Sequence, residues 1–173
     1  MSSKLATFAE TLAELLANRH KVLVFSQFVR HLKLIEEHLA GAGVAYQYLD
    51  GSTPAKARAE RIAAFQAGRG EVFLISLRAG GVGLNLTAAD YVIHMDPWWN
   101  PAAEDQASDR VHRIGQTRPV TIYRLVAKGT IEEQIVELHH RKRDLAERLL
   151  EGADAPVRLD AGELLELLRH PLV

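Results

Sequence analysis

The sequence contains no cysteine. That excludes a disulfide framework and any thiolate zinc site. No apolar run approaches the roughly 20 residues a membrane helix needs, so no membrane partner is expected. The first residues lack the basic-then-apolar pattern of a signal peptide, and an intracellular setting is the expectation. Neither charge dominates: 21 Lys and Arg against 22 Asp and Glu leave a formal net charge of −1. Net charge therefore gives no sign of nucleic acid, although a neutral total can conceal a basic face. No G-x-S-x-G elbow is present, which disfavours a serine hydrolase. There is no G-x-x-x-x-G-K-[ST] loop and no acidic metal-binding box after an apolar strand; "AKGT" (127–130) is no substitute. Of eight histidines, His31 and His38 are seven apart and His139 and His140 adjacent, spacings that suggest no metal site.

What is there is a regular alternation. The 173 residues suffice for one domain with a sizeable core. Leu5, Phe8, Leu12, Leu15 and Leu16 form a helical stripe over 5–16. The β-rich runs "KVLVFSQF" (21–28), "VAYQYLD" (44–50), "EVFLISL" (71–77), "YVIHMD" (91–96) and "VTIYRLV" (120–126) read as five strands. Between the first two lies a helix with Leu32, Ile35 and Leu39 on one face and Gly41 or Gly43 as its stop. Thr53 as N-cap and Pro54 in the first turn open a helix that ends near Gly68. Asn100 and Pro101 open another, closed by Gly115. Thr130 and Glu133 form a capping box for a long helix from Ile131 to Leu150. The predicted fold is α/β, a mostly parallel sheet with helices on both faces. Residues 151–173 read as a linker and a short C-terminal helix, a helical extension of the domain at 1–150.

In such sheets ligands bind beyond the carboxyl ends of the strands, which directs attention to "SQF", "LRAGGVGLN" and "DPWWNP". "DQASDRVHRIGQT" (105–117) places Gln106, Arg110 and Arg113 in one narrow helical arc. Asp109 sits four before Arg113 and offers it an ion pair; Arg110 has no acid at three or four on either side. The pattern fits either surface pairing or a phosphate ligand, which guanidinium grips in a fixed fork. In "RAGGVGLNL" (78–86), Gly81 and Gly83 lack the third glycine of a dinucleotide fingerprint, so a dinucleotide-dependent oxidoreductase is disfavoured. The run fits a tight turn or an anion-binding nest, with Arg78 and Asn85 favouring phosphate or ribose. Trp98 and Trp99 suit an interface or stacking role, or the filling of a core.

"KVLVFSQF", "YLDGST", "ISLRAGGVGLNLTAADYVIHMDPWWNP" and "QASDRVHRIGQ" occur in this order. Together they resemble the C-terminal motor lobe of the Swi/Snf-like ATPases of helicase superfamily two, over about residues 20–150. The resemblance implies a RecA-like three-layer fold and double-stranded DNA translocation driven by ATP with Mg²⁺, both held mainly by an N-terminal RecA-like lobe. It implies that Arg110 and Arg113 are arginine fingers and that Gln106, Gly83 and Asn85 lie on the nucleotide side. Ser26, Gln27, Gly51, Ser52, Ser76, Arg78 and Gly80 match positions lining the DNA backbone. Arg58 aligns with an arginine after the "YLDGST" motif, and Trp98, Trp99 and Asn100 belong to the stretch coupling DNA to the nucleotide cleft. With the phosphate-gripping loop missing, the chain reads as half of a motor, inactive alone. The alternatives are a nucleic-acid clamp without hydrolysis and the lobe of an RNA-directed helicase. The expected location is the nucleoid-bearing cytoplasm for a bacterial protein, the nucleus for a eukaryotic one. Leu145 and Leu149 are expected to be more exposed in this chain than in a two-lobe motor.

Overall fold

Strands form where unbroken apolar runs can be buried on both faces. The computed structural model describes residues 2–77, 86–97 and 119–150, with side chains described to 145 and at 147. Strand β1 (Val22–Ser26) and strand β3 (Val72–Ser76) are buried at every position. Two further strands, β2 (Tyr46–Leu49) and β4 (Tyr91–His94), flank this pair, and β5 (Thr121–Arg124) forms the far edge. The order is β2-β3-β1-β4-β5 and every pairing is parallel. The predicted strands are all present, each two or three residues shorter in total.

Successive side chains of β1 point to opposite faces, and each face has its own core. Val22 and Val24 pack with Phe8, Leu12 and Leu15 of α1 (Ser3–Ala17) and with Leu32, Ile35 and Leu39 of α2 (Val29–Gly41). Leu23 and Phe25 pack on the other side with Phe65 of α3 (Ala55–Gln66), Phe73 and Ile75. Full burial of each large apolar side chain contributes about 1.5–3 kcal/mol. Three layers result, as the resemblance implies.

Helix ends follow local chemistry. At the end of α2 the choice between two glycines falls on Gly43, which takes φ +69°, while Val44 N–H returns to the Leu39 carbonyl at 3.0 Å. Gly41 remains helical. At α3 the expected cap is corrected: Pro54 occupies the N-cap position. The Thr53 hydroxyl instead accepts the Asp50 N–H at 3.1 Å, so it closes the preceding turn. The last helix, α4 (Ile131–Leu150), begins close to the predicted capping box. Thr130 Oγ1 accepts from Glu132 N–H at 3.2 Å, and the Glu133 carboxylate takes Gly129 N–H at 2.8 Å rather than that of Thr130. Its Leu145 is half-buried; the Leu149 side chain, the helix expected between Asn100 and Gly115, and the extension at 151–173 lie outside the described residues.

Candidate functional site

The chain leaves β1 towards β2 and leaves β4 towards β5, so their connections diverge from adjacent strand ends. A crevice at such a point is where parallel sheets bind ligands. Here it is bridged. The Ser26 hydroxyl donates to Asp96 Oδ1 at 2.5 Å, and Gln27 N–H donates to Asp96 Oδ2 at 3.1 Å. Ser26 Oγ also accepts the Phe28 N–H at 3.1 Å. Backbone bonds from Met95 N–H to the Phe25 carbonyl (2.9 Å) and from Leu77 N–H to the Ser26 carbonyl (3.0 Å) join the ends of β4, β1 and β3. The connections from these strands lead into the glycine-rich and tryptophan-bearing motifs.

Asp96 is 2% exposed. Burial raises its carboxyl pKa, opposed by the Ser26 and Gln27 hydrogen bonds and by the nearby His31 and Lys4. His31 is itself lowered, first by burial and further by Lys4, against the opposite pull of Asp96 and Glu132.

Next along the sheet edge, Asp50 organises the turn after β2. Its Oδ1 accepts the Ser52 N–H at 2.8 Å and the Ser52 hydroxyl at 2.5 Å, and its Oδ2 accepts the Tyr48 hydroxyl at 2.8 Å. The Ser52 hydroxyl is the largest cause of a lowered Asp50 pKa. Burial, then the bond to Asp50, raises the Tyr48 phenol strongly. A recess of about 530 Å³ adjoins this turn, with Lys33, Glu36, Tyr48 and Arg61 in its walls. Its charged groups are engaged: Lys33 pairs with Glu36 at 2.8 Å and lies 3.8 Å from the Tyr48 ring centroid, while Arg61 donates to the Tyr48 backbone carbonyl at 2.6 Å.

Strands β2, β3 and β1 therefore present, side by side at their carboxyl ends, Gly51 with Ser52, then Ser76, then Ser26 with Gln27. Gly51 and Ser52 are exposed and Gln27 is half-buried. Ser26 and Ser76 are buried, at 0% and 1% exposure. The Ser76 hydroxyl has no hydrogen-bond partner among the described residues. Arg58 is half-buried in the first turn of α3. Arg78, Gly80, Gly83, Asn85, Trp98, Trp99, Asn100, Gln106, Arg110 and Arg113 lie outside the described residues. Asp50 and Asp96 stand within "YLDGST" and "DPWWNP" with no role among the residues expected from sequence; their signal is an acid at the end of an apolar run. Among the described residues no three His, Asp or Glu side chains gather as a metal site.

Residues 4–115 match the family model described as the helicase conserved C-terminal domain. The chain is 44% identical over 170 residues to the chromatin-remodeling ATPase INO80 of Drosophila melanogaster, covering 96% of this chain and 10% of that protein. It is 48% identical over 156 residues to the INO80 ATPase of Aspergillus oryzae, covering 89% of this chain and 11% of that protein. The chain thus spans about a tenth of the length of these relatives. Among solved structures, the C-terminal part of the Fun30 ATPase domain superposes with a TM-score of 0.75 at 37% identity, covering 79% of this chain and 45% of that one. The chain belongs to the helicase C-terminal domain family and is a RecA-like C-terminal lobe of the Swi/Snf-like superfamily-two ATPases.

Proposed function

We propose that the chain is the second motor lobe of an ATP-dependent translocase of double-stranded DNA that remodels nucleoprotein. Residues 1–150 form the lobe, and 151–173 a linker and short helix. The observation that carries the reading is the Ser26–Asp96 bridge, which ties the proposed DNA-track residues Ser26 and Gln27 to the first residue of "DPWWNP" at the crevice of the sheet. The chromatin-remodeling relatives support the same reading. They are eukaryotic, which favours a nuclear location and gives the bacterial branch no support.

In this scheme Arg110 and Arg113 reach the γ-phosphate, and Gln106, Gly83 and Asn85 touch the nucleotide. ATP and Mg²⁺ are held mainly by the N-terminal lobe, which supplies the phosphate-gripping loop and the metal ligands. Gln27, Gly51, Ser52, Arg78 and Gly80 face DNA phosphates. The buried Ser26 acts through Asp96, and the buried Ser76 ends the adjacent strand β3. Trp98, Trp99 and Asn100 link track and cleft. Joined to its N-terminal lobe, the chain is expected to hydrolyse ATP with stimulation by double-stranded DNA. Residues 1–173 alone are expected to be inactive, because the missing loop and metal ligands carry most nucleotide binding. DNA-stimulated, stoichiometric hydrolysis by the isolated chain would contradict this, and a two-lobe protein that binds DNA without hydrolysing ATP would favour the clamp.

A further inference from the structure

One side chain of the amino-terminal helix reaches across the carboxyl edge of the sheet. Lys4, in the first turn of α1, donates from Nζ to the Met95 backbone carbonyl at 2.8 Å. The same ammonium pairs with the Glu132 carboxylate. Met95 immediately precedes Asp96, so Lys4 grips the chain at the entrance to "DPWWNP". Glu132 is the second residue of α4, and its Oε2 also accepts the Ala127 N–H at 2.8 Å, fixing the loop that follows β5.

The ammonium is enclosed. Its side chain is 13% exposed and that of Glu132 22%. Asp96 and His31 both lie within electrostatic reach of it. An exposed lysine–carboxylate pair is screened and worth little. Lys4 instead has a backbone carbonyl and a carboxylate as fixed acceptors, in a partly desolvated setting where loss of one partner leaves the other unsatisfied. Three elements distant in sequence meet at this one atom: α1, the loop after β4, and the start of α4. Through Asp96 the contact continues to Ser26 and Gln27. A shift of the loop after β4 therefore moves the acceptor of Lys4, and with it the ion pair that anchors α4.

We infer that Lys4 is a positioning residue that couples DNA occupancy of the track to ATP turnover, by locking Met95 and Asp96, just beyond β4, to the start of α4. This rests on the motor function proposed above. The test measures ATP turnover with and without double-stranded DNA in the two-lobe protein, as wild type, Lys4→Met, Lys4→Arg and Glu132→Gln. The ratio of DNA-stimulated to basal turnover is expected to fall about five-fold or more in Lys4→Met and Glu132→Gln, the size of an ordinary coupling energy between sites. Lys4→Arg, which keeps the charge and two donors, is expected to recover most of the ratio. Ratios equal to wild type in both disruptive variants would overturn the inference. So would an equal loss in Lys4→Arg. If Lys4→Met melts far below wild type, Glu132→Gln decides, since it retains an acceptor for the Ala127 N–H; an unchanged ratio there overturns the inference. A wild-type two-lobe protein without DNA-stimulated hydrolysis would defeat the motor reading itself, and this inference with it.

Discussion

The Ser26 hydroxyl and the Asp96 carboxylate meet at 2.5 Å across the ends of β1 and β4, two residues 70 apart in sequence. Ser26→Ala leaves Asp96 Oδ1 without that donor in a buried site, at an expected cost of about 1–3 kcal/mol in denaturant unfolding. The pH dependence has a definite sign. Burial already holds the Asp96 pKa above its usual 3.8, so its contribution is fully present below 3.8 and is lost as pH rises through the folded value. The Ser26 bond lowers that pKa; removing it extends the loss further upward in pH. Identical stability profiles for wild type and Ser26→Ala above pH 3.8 would show the bridge to be energetically idle.

His94 gives the opposite slope. Burial, with Arg124 nearby, depresses it from 6.5 to about 4. Above pH 6.5 both states hold it neutral. As pH falls from 6.5 to about 4 only the unfolded chain takes up the proton, and stability drops by on the order of 3 kcal/mol. His94→Gln should flatten this part of the profile even where its absolute stability is lower. Thermal melts of both proteins between pH 4 and about 7 check it, and parallel curves would contradict it.

DNA binding by the two-lobe protein should depend on phosphates and show little sequence preference, because the proposed donors are the Gln27 amide, backbone N–H groups and Arg78, all suited to phosphate. Arg78→Ala is expected to weaken binding uniformly and to reduce the slope of log affinity against log salt by about 0.9, as for one neutralised phosphate of B-form DNA. A strong preference for one sequence, abolished in that variant, would argue for base readout instead.

Helix α4 offers a further check. Leu145 is half-buried, and packing of the proposed N-terminal lobe on this end of the helix would suppress its local opening. Hydrogen exchange over residues 143–150 should be faster in the isolated chain than in the two-lobe protein. Equal, strong protection in both, with the chain monomeric, would assign the whole helix to this lobe.

Much of the fold was legible because its signals are local. The doubly buried strands show as continuous apolar runs, and α1 and α2 as leucine stripes whose predicted positions line one core. Helix ends were less legible, because competing partners decide them: the Thr53 hydroxyl serves Asp50 N–H instead of capping α3. The site was legible as motifs but not as contacts. Asp96 stands in plain view in "MDPWW", yet its partners Ser26 and Gln27 come from another strand. Lys4 carried no signal, since only strand order brings α1, Met95 and Glu132 together. Burial of Ser26 and Ser76 also follows from packing that no motif encodes.

The central claim is that this lobe completes a nucleotide site with Arg110 and Arg113. The direct measurement is steady-state ATP turnover of the two-lobe protein at saturating double-stranded DNA, for wild type, Arg110→Ala and Arg113→Ala, with DNA affinity measured in parallel. Turnover should fall by on the order of 10³-fold or more in each variant, as for other arginine fingers, while DNA affinity stays near wild type. Near wild-type turnover in both variants would contradict the assignment and return the pair to surface ion pairing.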